Sequence, residues 1–174
     1  HAAAFELMNA RRFRQTVRLV AVPAGGGALG GLAADLTAFL QSNGSPQTDV
    51  SVEDFVPSAV AVSITLRVNS AEFDPRAVSE MANAALLQIL DLRLRRPGQV
   101  LYRSEITQAM EHVGGVSNSD VVLFPANPPG SPNSWKQVNR GDDGGIWAVI
   151  PHDNQVIYAA DPLLLSIKTE EANF

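Results

Sequence analysis

The stretch from Val60 to Asn69 constrains the fold more than any other part of the chain. Val62, Ile64, Leu66 and Val68 are apolar, and Ser63, Thr65, Arg67 and Asn69 alternate with them. Successive side chains of a strand point to opposite faces, so this pattern specifies a long strand with one buried and one wet face. A shorter strand, Val50 to Val56, precedes it, and Pro57 interrupts the pair. Only Pro57 and Ser58 are available for a turn, so the expectation is one continuous strand bent at Pro57.

The remaining elements follow from apolar spacing and stop signals. Val17 to Val22 is a short Val-rich run that reads as a strand buried on both faces and ended by Pro23. The turn from Gly25 to Gly31 leads into a helix in which Leu29, Leu32, Ala33, Leu36, Phe39 and Leu40 recur at helical spacing, with Asn43-Gly44 as its stop. Asp74-Pro75 starts a second helix, because Asp accepts from free amides and proline at the first position loses no bond. Its expected buried stripe is Val78, Met81, Ala82, Ala85, Leu86, Ile89 and Leu90, and it ends before Pro97-Gly98. A third helix is expected from a Ser104 cap through Ile106, Ala109, Met110 and Val113 to Gly114-Gly115, with a strand over Val116 to Phe124 after it.

Beyond Phe124 the stretch PANPPGSPNSWKQVNRGDDGG is rich in Pro, Gly and Asn and reads as a long loop or insertion. Strands Ile146 to Ile150 and Gln155 to Ala160 are expected around a hairpin turn at Pro151 to Asn154, then an apolar segment from Leu163 to Lys168 and an acidic tail. The fold class is therefore α/β of the α+β type: a split βαβ-like sheet with helices on one face and a β-rich C-terminal extension. The expected division is 1–16 as the remnant of an upstream region, 17–124 as the core domain and 125–174 as an appended β-rich part. The opening HAAAFELMNARRFRQ has no initiator Met and reads as the start of a fragment or processed product.

Composition narrows the function classes. A net charge of −5 opposes general nucleic-acid binding, which needs a cationic surface to displace counterions. The basic stretches Arg11, Arg12, Arg14 and Arg18, and Arg93, Arg95 and Arg96, read as solvated faces or protein-contact patches. The chain has no cysteine, which removes disulfides and thiolate metal sites. No apolar run approaches the roughly 20 residues that span a bilayer, and His1 to Ala10 has no basic segment followed by a hydrophobic one.

The strongest candidate for chemistry is Gly25-x-Gly27-x-x-Gly30, between a strand and a helix, where glycines let a backbone approach a pyrophosphate. Asp49, Glu53 and Asp54 stand about 20 residues on, where a ribose-binding acid is required. Against a nucleotide site, Pro23 stiffens the strand exit, the alternating strand has a wet face that a doubly wound sheet would bury, and no second nucleotide-binding half follows. The three histidines are scattered: His1 is terminal, His112 closes a helix, and His152-Asp153 sits in a turn that needs Asp and Asn for backbone reasons. Asp142-Asp143 with Asp153 lacks EF-hand spacing, and no Ser occupies a nucleophile elbow. Trp135 and Trp147 flank the irregular stretch and read first as packing residues, then as contact anchors. The residues thus nominate no catalytic, cofactor or metal site, and a nucleotide-binding fragment using Gly25, Gly27 and Gly30 is the alternative reading.

Taken in order, VRLVAVPAGG, LAADLTAFLQSN, DVSVEDFVPSAVAVSITLRVN, DPRAVSEMANAALLQIL and PGQVLYRSEITQAMEHVGGV resemble the baseplate J family of contractile-tailed phages and related injection systems. The residues carrying the likeness are Pro23, Gly25, Pro57, Gly98, Val100, Ser104 to Ile106, Gly115 and Val116. The Pro-rich stretch after Phe124 departs from the family pattern. The resemblance implies a non-enzymatic wedge subunit without cofactor, held in a ring by other baseplate and tail subunits and by its own copies. It implies no nucleic acid, membrane or small-molecule partner. The implied location is the baseplate of a virion or tail-like particle assembled in the bacterial cytoplasm. On this reading the wet face and the edge of the Val60 to Val68 strand are docking surfaces, and isolated domains associate weakly.

Overall fold

The computed structural model describes residues 2–9, 14–126, 135–159 and 165–172. The long alternating strand is its axis. This strand, β4 (Val56–Val68), pairs antiparallel with β6 (Val116–Pro125) and parallel with β10 (Leu165–Glu171), giving the order β10-β4-β6. Its first residues pair parallel with β9 (Gln155–Tyr158). The edge expected along Val60 to Val68 is therefore absent, because both flanks carry partners. The expected alternation of faces holds: Val62, Ile64, Leu66 and Val68 are buried, and Arg67 is exposed.

Two helices cover the apolar face. In α2 (Pro75–Ile89) the Asp74 carboxylate accepts from the Arg76 amide and Pro75 takes the first position, as their chemistry requires. Val78, Ala82, Leu86 and Leu90 join Ile106 and Met110 of α3 (Arg103–Glu111) in one core with the β4 residues, Val121 and Leu123. Met81, expected in the buried stripe, is instead 48% exposed, because it lies on the flank of α2 away from the sheet. Ser104 is not the cap of α3. The chain passes directly from β5 (Leu101–Tyr102) into the helix, so Tyr102 takes the cap position without a side-chain bond.

A second sheet, ordered β1-β2-β3, is built from β1 (Ala2–Asn9), β2 (Arg14–Ala21) and β3 (Thr48–Asp54). β1 runs antiparallel to β2, and β3 runs parallel to it. Only Val20 and Val22 of the Val-rich run are fully buried, joining Phe55 and Val156 in a smaller cluster. Its other residues are partly exposed, a correction to the strand expected to be buried on both faces. The expected bend at Pro57 is also corrected. The ladder breaks two residues earlier, at Phe55, whose ring enters that cluster and separates β3 from β4 into different sheets. Pro57 lies inside β4, where its missing amide is tolerated because the β6 ladder begins only at Val60.

The helix after the Gly-rich turn, α1 (Leu32–Asn43), packs beside β3 but has no fully buried residue. Leu32 is 53% and Phe39 62% exposed, so its expected apolar stripe is only partly used. A third small sheet, β5-β8-β7, uses β8 (Ile146–Ile150) and β7 (Gln137–Arg140), the latter within the stretch expected to be irregular. The turn at Pro151 to Asn154 does not make a hairpin: β8 pairs with β5 and β7, while β9 joins β4. Sheet pairing crosses both expected boundaries, since β1 pairs with β2, and β9 and β10 with β4.

Candidate functional site

Among the described residues, no helix covers the other face of the β10-β4-β6 sheet, and register fixes what it displays. Ser63 stands between Ser166 and Val122, Thr65 between Lys168 and Asp120, and Arg67 between Glu170 and Asn118. Ala61 stands beside Phe124. Ser166, Lys168, Glu170, Arg67, Asn118 and Asp120 are all exposed, and Val122 and Phe124 are 38% and 52% exposed. The face thus has small side chains along its middle strand, charges of both signs at one end and two exposed apolar side chains at the other. Such a surface suits contact with another protein, where an apolar patch is bordered by charge. The alternation of β4 signalled this face; the β6 flank gave no such signal, because Val121 to Phe124 are all apolar and a period cannot be read from them.

The Gly-rich turn is occupied by the chain itself. Both carboxylate oxygens of Asp54 lie 3.0 Å from the Leu29 amide, which donates to them. A carboxylate so placed takes one of the amides that a phosphate would use and repels its charge. The acid nominated to bind a ribose instead ties the turn to β3. Gly26 and Gly30 have φ of +71° and +54°, so these glycines serve backbone conformation.

The other candidates are likewise held in structural roles. His112 is the C-cap of α3: its backbone amide donates to Gln108 O and its ring Nδ1 lies 2.6 Å from the same oxygen. Asp153 faces Arg18 at 3.4 Å and Lys136 at 3.5 Å, and His152 donates its backbone amide to Gln155 Oε1. Asp143 accepts from the Gly145 amide and stabilises the turn before β8. No group of three or more His, Asp or Glu side chains gathers among the described residues. Trp135 is half-buried against the main core, while Trp147, 43% exposed, stacks on Tyr102 with ring centres 6.2 Å apart.

The two basic stretches divide. His1, Arg11 and Arg12 lie outside the described residues. Arg18 is partly buried, 3.8 Å from Glu53 and with its guanidinium 5.9 Å from the centre of the Phe5 ring. Arg93 is exposed and pairs with Asp91 at 2.8 Å. Arg95, expected on a solvated face, is 2% exposed. It donates to Val100 O at 2.8 Å, to Ile89 O at 3.4 Å and to Glu105 at 3.2 Å, joining the end of α2, the following loop and the first turn of α3. Burial pushes its guanidinium below its ordinary value, against the pull of the Glu105 charge. Among the described residues no helix is long and apolar enough to cross a membrane.

No family model matches the chain, and no curated protein matches its sequence. Among solved structures, the fold is similar to that of a chain in the cryo-EM structure of the anti-feeding prophage (AFP) baseplate, 6-fold symmetrised. The TM-score is 0.59 at 12% identity, over 89% of this chain and 31% of that one. The likeness is one of fold, and this chain spans about a third of that chain's length.

Proposed function

We propose that the chain is a non-enzymatic structural part of the baseplate of a contractile tail or injection system. In this reading it is a baseplate J-like wedge module that contacts neighbouring subunits in a ring and resides in a virion or tail-like particle. The observation that carries the proposal is the likeness of fold, over 89% of the chain, to a chain of a contractile injection particle's baseplate. Two further features support it. The backbone signals at the Asp74-Pro75 start and at Gly115 have folding roles, and among the described residues one face of the β10-β4-β6 sheet presents exposed side chains.

The partners in this reading are other baseplate and tail subunits. Deleting the parent gene in the producing bacterium and imaging the released particles tests it. The expected result is tubes and sheaths that fail to form complete particles, restored by the gene supplied in trans. Normal numbers of intact, contractile particles without the protein would sink the proposal.

A further inference from the structure

The described elements fall into two groups that share no sheet. β1, β2 and β3 form one sheet with α1 packed beside β3, and β4 and every later strand belong to the others. The chain crosses from the first group to the second once, at Phe55, the single residue between β3 and β4. All the buried residues of the main core lie beyond that point. The first group therefore takes no part in the main core, and its ladders, β1 with β2 and β2 with β3, are internal to it.

The joint between the groups is small. Val20 and Val22 of the first group cluster with Phe55 and with Val156 of β9, and Phe5 and Leu92 flank them, one from each group. Beside this apolar plug four charges alternate in sign: Glu53, Arg18, Asp153 and Lys136. Glu53 and Arg18 belong to the first group, Asp153 and Lys136 to the second. The central contact, Arg18 Nη2 to Asp153 Oδ2 at 3.4 Å, therefore spans the joint. Both side chains are partly exposed, so salt screens the pair. Arg18 Nε is buried without a hydrogen-bond partner, a cost that opening removes by admitting water.

We infer that β1, β2, β3 and α1 swing away from the rest of the chain as one body about Phe55, with the Arg18–Asp153 pair as the latch. A hinge needs only a residue at an element's end that absorbs a change in φ and ψ, and a joint with few buried apolar contacts opens before the core does. The closed form is the one described above, and the open form is a minor one, on the order of 1–10%.

The chain has no cysteine, so dyes attach only where a cysteine is introduced. Energy transfer is read on single molecules of the full chain carrying Ala38→Cys on α1 and Ala84→Cys on α2, both exposed positions. A second, minor transfer efficiency is expected. Asp153→Asn, or about 1 M salt, should raise its population about two- to fivefold, and Phe55→Ala about tenfold or more. A pair within the second group, Ala84→Cys with Asn118→Cys, should keep one efficiency throughout. Circular dichroism of each variant should match the wild type, because the strands stay paired. Where Phe55→Ala fails to fold, Asp153→Asn and salt decide alone. A single efficiency, or a second one that neither Asp153→Asn nor salt raises, overturns the inference. So does a second efficiency shared by the control pair or accompanied by loss of strand signal, since that marks unfolding. Each of these results leaves the baseplate proposal standing, since that is read from particles in cells.

Discussion

Arg95 Nη1 lies 3.2 Å from Glu105 Oε1, and this contact locks the α2–α3 connection into the main core. The guanidinium is 2% exposed, whereas the Glu105 side chain is 37% exposed. The anion can be rehydrated if its partner is lost, but the cation cannot. Removing the carboxylate alone therefore strands a buried charge, the costly half of such a pair.

Glu105→Ala is accordingly expected to destabilise the protein by about 2–3 kcal/mol, a large effect for a residue more than a third exposed. Combining it with Arg95→Met should cost less than the sum of the two single changes, because the stranded charge goes with the arginine. Urea unfolding of the three variants measures this. Strict additivity would show that the two residues do not act as a pair.

Gly115 has φ of +93°, and a Cβ there would stand 2.7 Å from the Phe73 ring. Gly115→Ala should cost about 2 kcal/mol or more from backbone strain and crowding together. Adding Phe73→Ala should recover only part of that loss, since φ stays unfavourable. Thermal unfolding compares the two, and full recovery would mean that the backbone conformation carries no cost.

Asp91 accepts from the side chain and backbone of Arg93, and these bonds hold its carboxyl below the usual carboxylate range. A carboxyl depressed in the folded state stabilises it fully above that range and loses the effect as pH falls through its folded value. Asp91→Asn should therefore lower stability at neutral pH and lower it less at a pH well below the usual carboxylate range. Urea midpoints at the two pH values give the comparison. An equal difference at both would exclude the charge as its source.

Asp54 already occupies the Leu29 amide. NAD or ATP is therefore expected to leave the melting temperature unchanged, since a ligand that does not bind the native state adds no stability. A concentration-dependent rise abolished by changes at Gly25, Gly27 or Gly30 would revive the nucleotide reading.

Much of the fold was legible wherever local chemistry and tertiary packing agree. The alternation of Val62 to Val68 predicted β4 and its two faces, and Asp74-Pro75 predicted the start of α2. The misses have a common cause: side-chain spacing does not reveal a partner. Pro57 looked like a break, yet the deciding residue is Phe55, drawn into a cluster with Val20, Val22 and Val156, three residues distant in sequence. Pro151 to Asn154 carried turn chemistry, but the two strands beside it pair elsewhere. Arg95 differs from Arg93 and Arg96 only in the carbonyls and the carboxylate that the fold brings to it. The open face was half legible, because its middle strand alternates while Lys168 and Asp120 become neighbours of Thr65 only through long-range pairing.

Locating the chain within intact particles tests the central claim most directly. A small tag fused to the parent protein and imaged by electron microscopy on purified particles should appear at the baseplate end, in a ring around the tube. Label spread along the sheath, or none on particles that assemble normally, would contradict the account.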